Sequence, residues 1–267
     1  IMDHDQPVFT HINPLTMPPR FYCNHPLTIN ETILLPSGVS HHAAHVLRLK
    51  KNNQVILFNG QGGEFTGQIE QIDKNGVTVQ IQQFHDINRE SPVMTELAQA
   101  ICTNEKMDWI IQKAVEVGVN RIQPIMTNRC IVHLHGEKVK KRAEHWQQII
   151  HSACEQCGKN KIPELLPLVS YTDWLSQFKN SQTDRSITSS TKLMLTPTAQ
   201  IKLSELQPNN KDFFILLVGP EGGLTLSEEK LAITTGFIPI RLGQRTLRTE
   251  SAGLAALASI QALWGDY

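Results

Sequence analysis

Two short apolar runs near the C-terminus dominate the hydrophobic pattern of the chain. They span Phe213–Val218 and residues 237–242, and each has the length and composition of a strand buried in a parallel sheet. A polar turn and then a helical pattern follow each run. After the first turn, Thr225 and Glu228 have the spacing of a capping box, and Gly236 lies where that helix should end. The pattern predicts an α/β fold with two turns at the carboxyl ends of neighbouring strands.

A polar stretch at residues 84–92 divides the chain into two parts. The part before it alternates apolar and polar residues between turn signals, among them Asn75 and Gly76, which is typical of short strands and a hairpin. This pattern predicts a small β-barrel with one helix. The predicted strands are residues 53–59, 64–72 and 77–81, and the predicted helix is residues 40–49 with Ser40 as its cap.

The part after the polar stretch alternates strand and helix patterns, as α/β folds do. The segment 176–191 is rich in serine and threonine, which is typical of a mobile loop. The further predicted strands are residues 95–102, 122–126 and 192–195, and the further predicted helices are residues 106–118, 138–150 and 251–263.

Length and composition are those of a globular protein with two domains. The chain has 267 residues, of which 40% are hydrophobic and 19% charged, and it contains no apolar run of the roughly twenty residues that cross a bilayer. Its five cysteines, an odd number, do not indicate a disulfide framework. Since the chain shows no secretory leader pattern, we expect a cytoplasmic protein.

The first residues show no periodic pattern, and Met17 follows them. We therefore expect residues 1–16 to be a leader, either a dispensable extension or a remnant of recombinant expression, and Met17 to be the natural start. The two predicted domains are then residues 17–85 and residues 92–267.

The formal net charge of zero argues weakly against a nucleic-acid partner, so local clusters must supply any contact with phosphates. One such cluster consists of His41, His42 and His45, followed by Arg48, Lys50 and Lys51. Metal binding, a solvated helix face and phosphate contact all stay open for it, although zinc would lack a nearby carboxylate or cysteine. Cys154 and Cys157 form a lone C-x-x-C, which favours packing over a metal or redox site.

The two turns after the apolar runs carry the residues best suited to bind a ligand. The turn at residues 219–223 holds three glycines and one proline, so a ligand can approach its backbone amides and carbonyls. The turn at residues 242–250 ends with two arginines, two threonines and a glutamate among six residues. A phosphate loop is disfavoured because no Gly-Lys-Ser/Thr ending is present, and the G-x-G-x-x-G fingerprint of dinucleotide sites is also missing.

Both turns and two upstream segments resemble the signature of the SPOUT, or α/β-knot, methyltransferases. The nearest resemblance is to the family that methylates N3 of a uridine in small-subunit ribosomal RNA. The segments that carry it are LLVGPEGGLTLSEEKL (216–231), LGQRTLRTESAGLAALASIQALWGDY (242–267), NEKMDWIIQKAVEVGV (104–119) and ACEQCGKNKIPEL (153–165). The match runs from about Arg20 to the C-terminus, with the motifs in the family's order.

The resemblance implies S-adenosylmethionine as the methyl donor and 16S ribosomal RNA, within the small ribosomal subunit, as the partner. It also implies a C-terminal α/β domain with a deep trefoil knot, an N-terminal PUA-like RNA-binding β-barrel, and a homodimer. The many small residues of the last predicted helix fit either a packed core or the dimer interface. We expect neither a metal nor a membrane as a partner.

Site residues follow from the resemblance motif by motif. The implied cofactor contacts are Leu195, Thr196, Pro197, Gly219, Pro220, Glu221, Gly222, Leu242, Gly243, Leu247, Arg248 and Thr249. The candidates for holding RNA are Arg20, His42, Arg48, Arg129, Lys159 and Lys161.

The chemistry of uracil narrows the catalytic candidates. N3 carries a proton at neutral pH, so an enzyme must help to remove it or stabilise the resulting anion. Arg248, always charged and able to present paired donors, fits the second task, and Glu250 or Glu155 could accept the proton. N3 also lies on the pairing edge, so the base must be unpaired or flipped out. Two other functions stay open: a SPOUT methyltransferase for another RNA, and a non-catalytic RNA-binding protein of the same fold.

Overall fold

The computed structural model describes residues 18–180, 189–208 and 212–267 of the chain. These residues form two compact units that divide between Ile87 and Asn88. The leader expected at residues 1–16, and Met17, lie outside the described residues. Each unit contains its own sheet and its own buried core.

The first unit is built on five strands. They are β1 (Arg20–Tyr22), β2 (Thr32–Leu34), β3 (Gln54–Phe58), β4 (Glu64–Asp73) and β5 (Gly76–His85). Their order in the sheet is β1-β3-β4-β5-β2, with β1 and β3 parallel and the other pairs antiparallel. The predicted hairpin is confirmed, since Asp73 pairs with Gly76 across its loop. Alternate strand residues such as Val55, Leu57 and Ile69 are fully buried and form the core.

The helix of the first unit begins earlier than predicted. Helix α1 spans Ser37–His41 and continues as a π-helical turn over His42–Val46. Ser40 is therefore not the cap, because Pro36 occupies the N-cap position. The Ser40 hydroxyl instead donates to the carbonyl of Leu35 at 2.9 Å and accepts the Val77 amide at 3.2 Å, which fastens the helix to β5.

The second unit contains an eight-stranded sheet in which every pairing is parallel. The strands are β6 (Met94–Ala100), β7 (Arg121–Met126), β8 (Glu164–Leu165), β9 (Val169–Ser170), β10 (Thr191–Leu195), β11 (Ile201–Lys202), β12 (Phe213–Val218) and β13 (Ile238–Arg241). The order is β11-β13-β10-β12-β6-β7-β8, and β9 also pairs with β7. All residues of β12 are buried, as predicted for a strand covered on both faces.

Helices surround this sheet, which confirms the predicted α/β class. They are α2 (Asn104–Glu116), α3 (Glu137–Cys157), α4 (Tyr171–Asn180), α5 (Leu226–Thr234) and α6 (Thr249–Trp264), with a short 3₁₀ turn at Leu203–Glu205. The Thr225 and Glu228 capping box starts α5, and Gly236 follows its end with a positive φ of 93°, as predicted.

The loop predicted at residues 176–191 is wrong at its start, because α4 continues to Asn180. Its aromatic side chains explain the difference. Trp174 and Phe178 pack against Phe237 with ring centroids 5.3 and 5.4 Å away, so one apolar face holds this serine-containing segment as a helix. Residues 181–188 of the predicted loop lie outside the described residues.

Helix α6 follows β13, which lies near one edge of the sheet, but packs on strands at the centre of the sheet. β13 lies two strands away from β12, yet α6 packs against β12, β6 and α2. A Cβ placed on Gly253 would lie 3.3 Å from Leu97 and 3.5 Å from Val218, so the small residues let the helix approach the sheet closely. The turn that joins β13 to α6 therefore passes β10, which lies between β13 and β12 in the sheet. Among the described residues, no helix is both long and apolar enough to span a membrane.

Candidate functional site

Three turns that follow β10, β12 and β13 enclose a cavity of about 400 Å³. They meet because these strands are parallel neighbours, so their carboxyl ends lie at the same edge of the sheet. Every residue predicted to contact a cofactor lines this cavity. These are Leu195, Thr196, Pro197, Gly219, Pro220, Glu221, Gly222, Leu242, Gly243, Leu247, Arg248 and Thr249.

Arg129, in the connection between β7 and α3, holds the glycine turn (residues 219–223) by hydrogen bonds. Its guanidinium donates to the carbonyl oxygens of Gly222 at 2.9 Å and Leu224 at 3.2 Å, and its side chain also lines the cavity. Within the turn, the Gly223 amide donates to the Pro220 carbonyl at 2.8 Å. Arg129 was predicted to hold RNA, and the structure places it in the wall of the cavity.

A threonine hydroxyl joins the glycine turn after β12 to the turn after β13. Thr249 donates to the Gly219 carbonyl at 2.6 Å and accepts from the side-chain amide of Gln99 at 3.1 Å. Gln99 is fully buried on β6, opposite Val218 in the sheet register. Sequence reasoning did not identify Gln99, although a buried amide at the end of a core strand is a polar group that needs partners.

Lys106 joins the same two turns from the first turn of α2. Its ammonium group lies 3.4 Å from Glu221 Oε1 and 3.6 Å from Glu250 Oε2. Sequence reasoning also missed Lys106. Its position was a signal: a lysine in the first turn of a helix is unfavourable next to the positive end of the helix dipole, which suggests that an anionic group lies nearby.

Glu221 is held as an ionised carboxylate at the cavity wall. Burial acts to raise its pKa, but hydrogen bonds from the backbone amides of Glu221 and Thr103, together with Lys106, outweigh burial and lower the pKa. The Thr103 amide donates to Oε1 at 3.2 Å. Nearby, burial and the charge of Glu221 raise the pKa of the Cys102 thiol to about 12, so this cysteine is not a thiolate nucleophile at neutral pH.

Glu228 ties the base of the site together, although it lies outside the cavity lining. It is buried, and its carboxylate accepts the amides of Asn128 at 2.8 Å and Thr225 at 2.7 Å. Its own carbonyl accepts the Tyr171 hydroxyl at 2.7 Å. Glu228 thereby connects the start of α5 with the β7–α3 connection that carries Arg129.

Replacing Glu228 with alanine is expected to destabilise the second unit by about 2 kcal/mol, since a helix cap and a buried acceptor are lost together. Thermal unfolding should show a midpoint lowered by roughly 5 °C. Glu228→Gln keeps one acceptor and should lose less. Equal midpoints for the wild type and the alanine variant would show that these hydrogen bonds contribute nothing to stability.

The catalytic candidates occupy different places. Arg248 is exposed, lines the cavity and is the N-cap residue directly before α6. Glu250 lies two residues further on, in the first turn of α6, and faces Lys106. Glu155 lies half-buried near the end of α3 and is not among the described residues that line the cavity. The structure therefore places Arg248 in the cavity wall and Glu250 next to the lining residue Thr249, and neither Glu250 nor Glu155 is among the described residues that line the cavity.

The predicted RNA contacts divide into buried and exposed residues. Arg20 forms an ion pair with Glu64 at 2.5 Å and stacks on Phe58, and the Lys159 ammonium is buried against Glu90. Arg20 and Lys159 therefore form ion pairs within the protein. The cations or polar side chains left on the surface are His42, Arg48 and Lys161.

Within the described part of the chain, no group of three or more histidine, cysteine, aspartate or glutamate side chains could hold a metal ion. The rings of His41 and His45 lie 4.7 Å apart on the surface of the first unit. The described cysteines form no disulfide with one another, and Cys154 is buried on α3.

Comparisons with known proteins point to one family. Residues 89–261 match the family model of an RNA methyltransferase domain, and residues 35–82 match that of an RNA methyltransferase PUA domain. The ribosomal RNA small subunit methyltransferase E of Buchnera aphidicola subsp. Schizaphis graminum is 36% identical over 248 residues, which cover 93% of this chain and 97% of that protein.

Two solved structures are similar over nearly the whole chain. Lpg2936 of Legionella pneumophila, in complex with the cofactor SAM, has a TM-score of 0.86 and 36% identity and covers 94% of this chain and 100% of its own. The ribosomal RNA small subunit methyltransferase E of Neisseria gonorrhoeae, bound to S-adenosylmethionine, has a TM-score of 0.84 and 37% identity with the same coverage.

Proposed function

The chain belongs to the RNA methyltransferase family, and from this premise we propose that it methylates N3 of a specific uridine in 16S ribosomal RNA. The family inferred from the sequence motifs is confirmed. The protein is an S-adenosylmethionine-dependent ribosomal RNA methyltransferase, in keeping with the names of its relatives and the cofactor in similar structures. The choice of a uridine N3 rests on the motifs of the two C-terminal turns.

The proposal rests above all on the single cavity that the three turns form. Its volume of about 400 Å³ is typical of sites for small molecules. The residues of the glycine turn line this cavity, and the ionised Glu221 suits a cation. Bound there, S-adenosylmethionine would supply an electrophilic methyl group on a cationic sulfur. The residues of this chain that we propose to hold it are the twelve predicted from the motifs, with Arg248 contributing through its backbone rather than its side chain.

We assign Arg248 to the uracil rather than to the fold. It is exposed at the cavity, where a base flipped out of its RNA could meet it. Its fixed charge would stabilise the anion that N3 becomes when it loses its proton. We propose Glu250, in the same segment, as the group that accepts the proton or orients a water. Glu155 could take part only if a second subunit brought it to the cavity.

For the RNA we propose contacts with His42, Arg48 and Lys161, which lie on the surface. Arg48 has a positive φ of 53°, an uncommon conformation for a residue with a side chain, and such strain is often found at functional positions. Arg129 would meet the RNA only at the cavity that it lines. These contacts are local, which fits a chain without net positive charge.

The finer architecture is also a proposal. We propose that the first unit closes as a PUA-like barrel within residues 17–85, and that residues 92–267 form a knotted SPOUT domain. The knot is proposed from the resemblance of the C-terminal motifs to those of the SPOUT methyltransferases. We further propose a homodimer that acts in the cytoplasm, where a bacterial ribosomal subunit would be its substrate.

Transfer of labelled methyl groups tests the function. Small-subunit ribosomal RNA from cells that lack this activity should accept label from S-adenosylmethionine, and nucleoside analysis should find it in 3-methyluridine. The RNA is offered free and in assembled subunits, and we expect the assembled subunit to be the better substrate. Omitting the protein gives the blank.

The other outcomes separate the alternatives. Label in a different nucleoside would retain the fold and cofactor but assign another target. Cofactor binding without any label, on either form of the RNA, would favour a non-catalytic RNA-binding protein. Absence of cofactor binding by calorimetry would contradict the proposed site itself.

A further inference from the structure

Lys106 connects two turns of the cofactor site without entering it. Its ammonium group lies 3.4 Å from Glu221 of the glycine turn and 3.6 Å from Glu250 at the start of α6. Lys106 is not among the described residues that line the cavity. It therefore acts on the site through the two carboxylates.

The backbone near Lys106 supplies only some of the hydrogen-bond donors that the carboxylates of Glu221 and Glu250 require. The Thr103 amide, at the N-terminus of α2, donates to Glu221 Oε1. Glu221 Oε2 and Glu250 Oε2 are buried and have no hydrogen-bond partner among the described residues. Buried carboxylate oxygens without donors are costly, and two such groups near one another repel. The charge of Lys106 is what offsets both costs.

We propose that Lys106 is a positioning residue that holds the glycine turn and the start of α6 in the arrangement that binds the cofactor. This inference rests on the proposed function. The side chains of Lys106, Glu221 and Glu250 are 31%, 19% and 18% exposed, so the ion pairs are only partly screened by water. Glu221 lines the cavity, and Glu250 directly follows Thr249, which also lines it. Movement of either carboxylate therefore moves the cavity wall.

Removing the charge of Lys106 should weaken binding of a neutral cofactor analogue. We expect Lys106→Met to lower the affinity for S-adenosylhomocysteine by roughly five- to tenfold, the range of coupling between residues in one network. This ligand has no sulfonium charge, so its affinity reports the shape of the site rather than attraction to Glu221. Isothermal titration calorimetry on the full chain measures it. Lys106→Arg should bind S-adenosylhomocysteine with an affinity within about twofold of that of the wild type, since arginine keeps the positive charge.

A second substitution separates charge from packing. In the double variant Lys106→Met with Glu250→Gln, repulsion between the two carboxylates is gone, so most of the lost affinity should return. A residue that only filled space would show no such recovery. Lys113→Met is the matched control, because Lys113 lies on the same helix and pairs with Glu116 at 2.7 Å. We expect it to bind S-adenosylhomocysteine like the wild type.

The outcomes distinguish this inference from the proposed function. If the wild type binds neither S-adenosylmethionine nor S-adenosylhomocysteine, the proposed function fails. If the wild type binds and Lys106→Met binds equally well, Lys106 does not position the turns. If Lys106→Met is weak but neither Lys106→Arg nor the double variant recovers affinity, the charge of Lys106 is not responsible and the inference is overturned.

Discussion

Replacing Arg248 with alanine is expected to slow methyl transfer by roughly 100- to 1000-fold, the usual cost of losing one group that stabilises developing charge. The affinity for S-adenosylmethionine should stay close to that of the wild type. Arg248 is exposed at the cavity, so its charge can reach a base that arrives from solvent. Its interaction strengthens only as N3 loses its proton, and the loss therefore falls on the rate rather than on cofactor binding. Single-turnover transfer to small ribosomal subunits and calorimetry measure the two quantities.

Arg245 provides the control for this experiment. It is an exposed arginine on the same turn and also lines the cavity, so Arg245→Ala removes the same charge three residues earlier. We expect Arg245→Ala to retain most of the transfer rate. Normal transfer by Arg248→Ala, with normal cofactor binding, would remove Arg248 from the mechanism.

The sequence was most informative where local chemistry decides structure. The apolar run of β12 has no alternation, which indicated a strand covered on both faces, and all of its residues are buried. Thr225 and Glu228 start α5 because their side chains satisfy backbone donors within one turn of helix. The twelve residues proposed to hold the cofactor came from motifs, and parallel pairing explains why they share one cavity.

Interactions between distant segments could not be predicted in this way. Gln99 bonds Thr249 across 150 positions of sequence, and Lys106 on α2 faces Glu221 of the glycine turn. Neither residue belongs to a local pattern that specifies its partner. Arg20 and Lys159 show the same limit, since a cation in a sequence looks equally suited to a phosphate and to a buried carboxylate such as Glu64 or Glu90.

Tertiary packing also overrode composition in two places. The serine content near residue 176 predicted a loop, but the contacts of Trp174 and Phe178 with Phe237 keep the segment helical. Ser40 looked like a helix cap, and its hydroxyl instead bridges Leu35 and Val77 from inside the helix. In both cases a long-range contact decided the conformation of a segment whose residues fit another local structure equally well.

Replacing Gly219 with alanine is expected to weaken binding of S-adenosylmethionine by roughly tenfold to a hundredfold. A Cβ at this position would lie 3.1 Å from the amide nitrogen of Leu224 and 3.2 Å from the carbonyl carbon of Gly223. Both neighbours are backbone atoms, so the turn itself must shift to admit the methyl group. The Gly219 carbonyl also accepts a hydrogen bond from the Thr249 hydroxyl, so a shift of the glycine turn would also move the turn after β13. Calorimetric titration of the purified variant measures the loss.

Gly222→Ala adds the same methyl group to the same turn and is the matched control. There a Cβ would lie 3.4 Å from Cβ and 3.5 Å from Cδ of Arg129, which is ordinary van der Waals contact that requires no shift of the turn. We therefore expect Gly222→Ala to lose much less affinity than Gly219→Ala, with similar unfolding temperatures for the two variants. Equal losses would mean that the methyl group acts on the ligand directly and not through the backbone. Equal and unchanged affinities would show that the glycine turn is not the wall against which the cofactor binds.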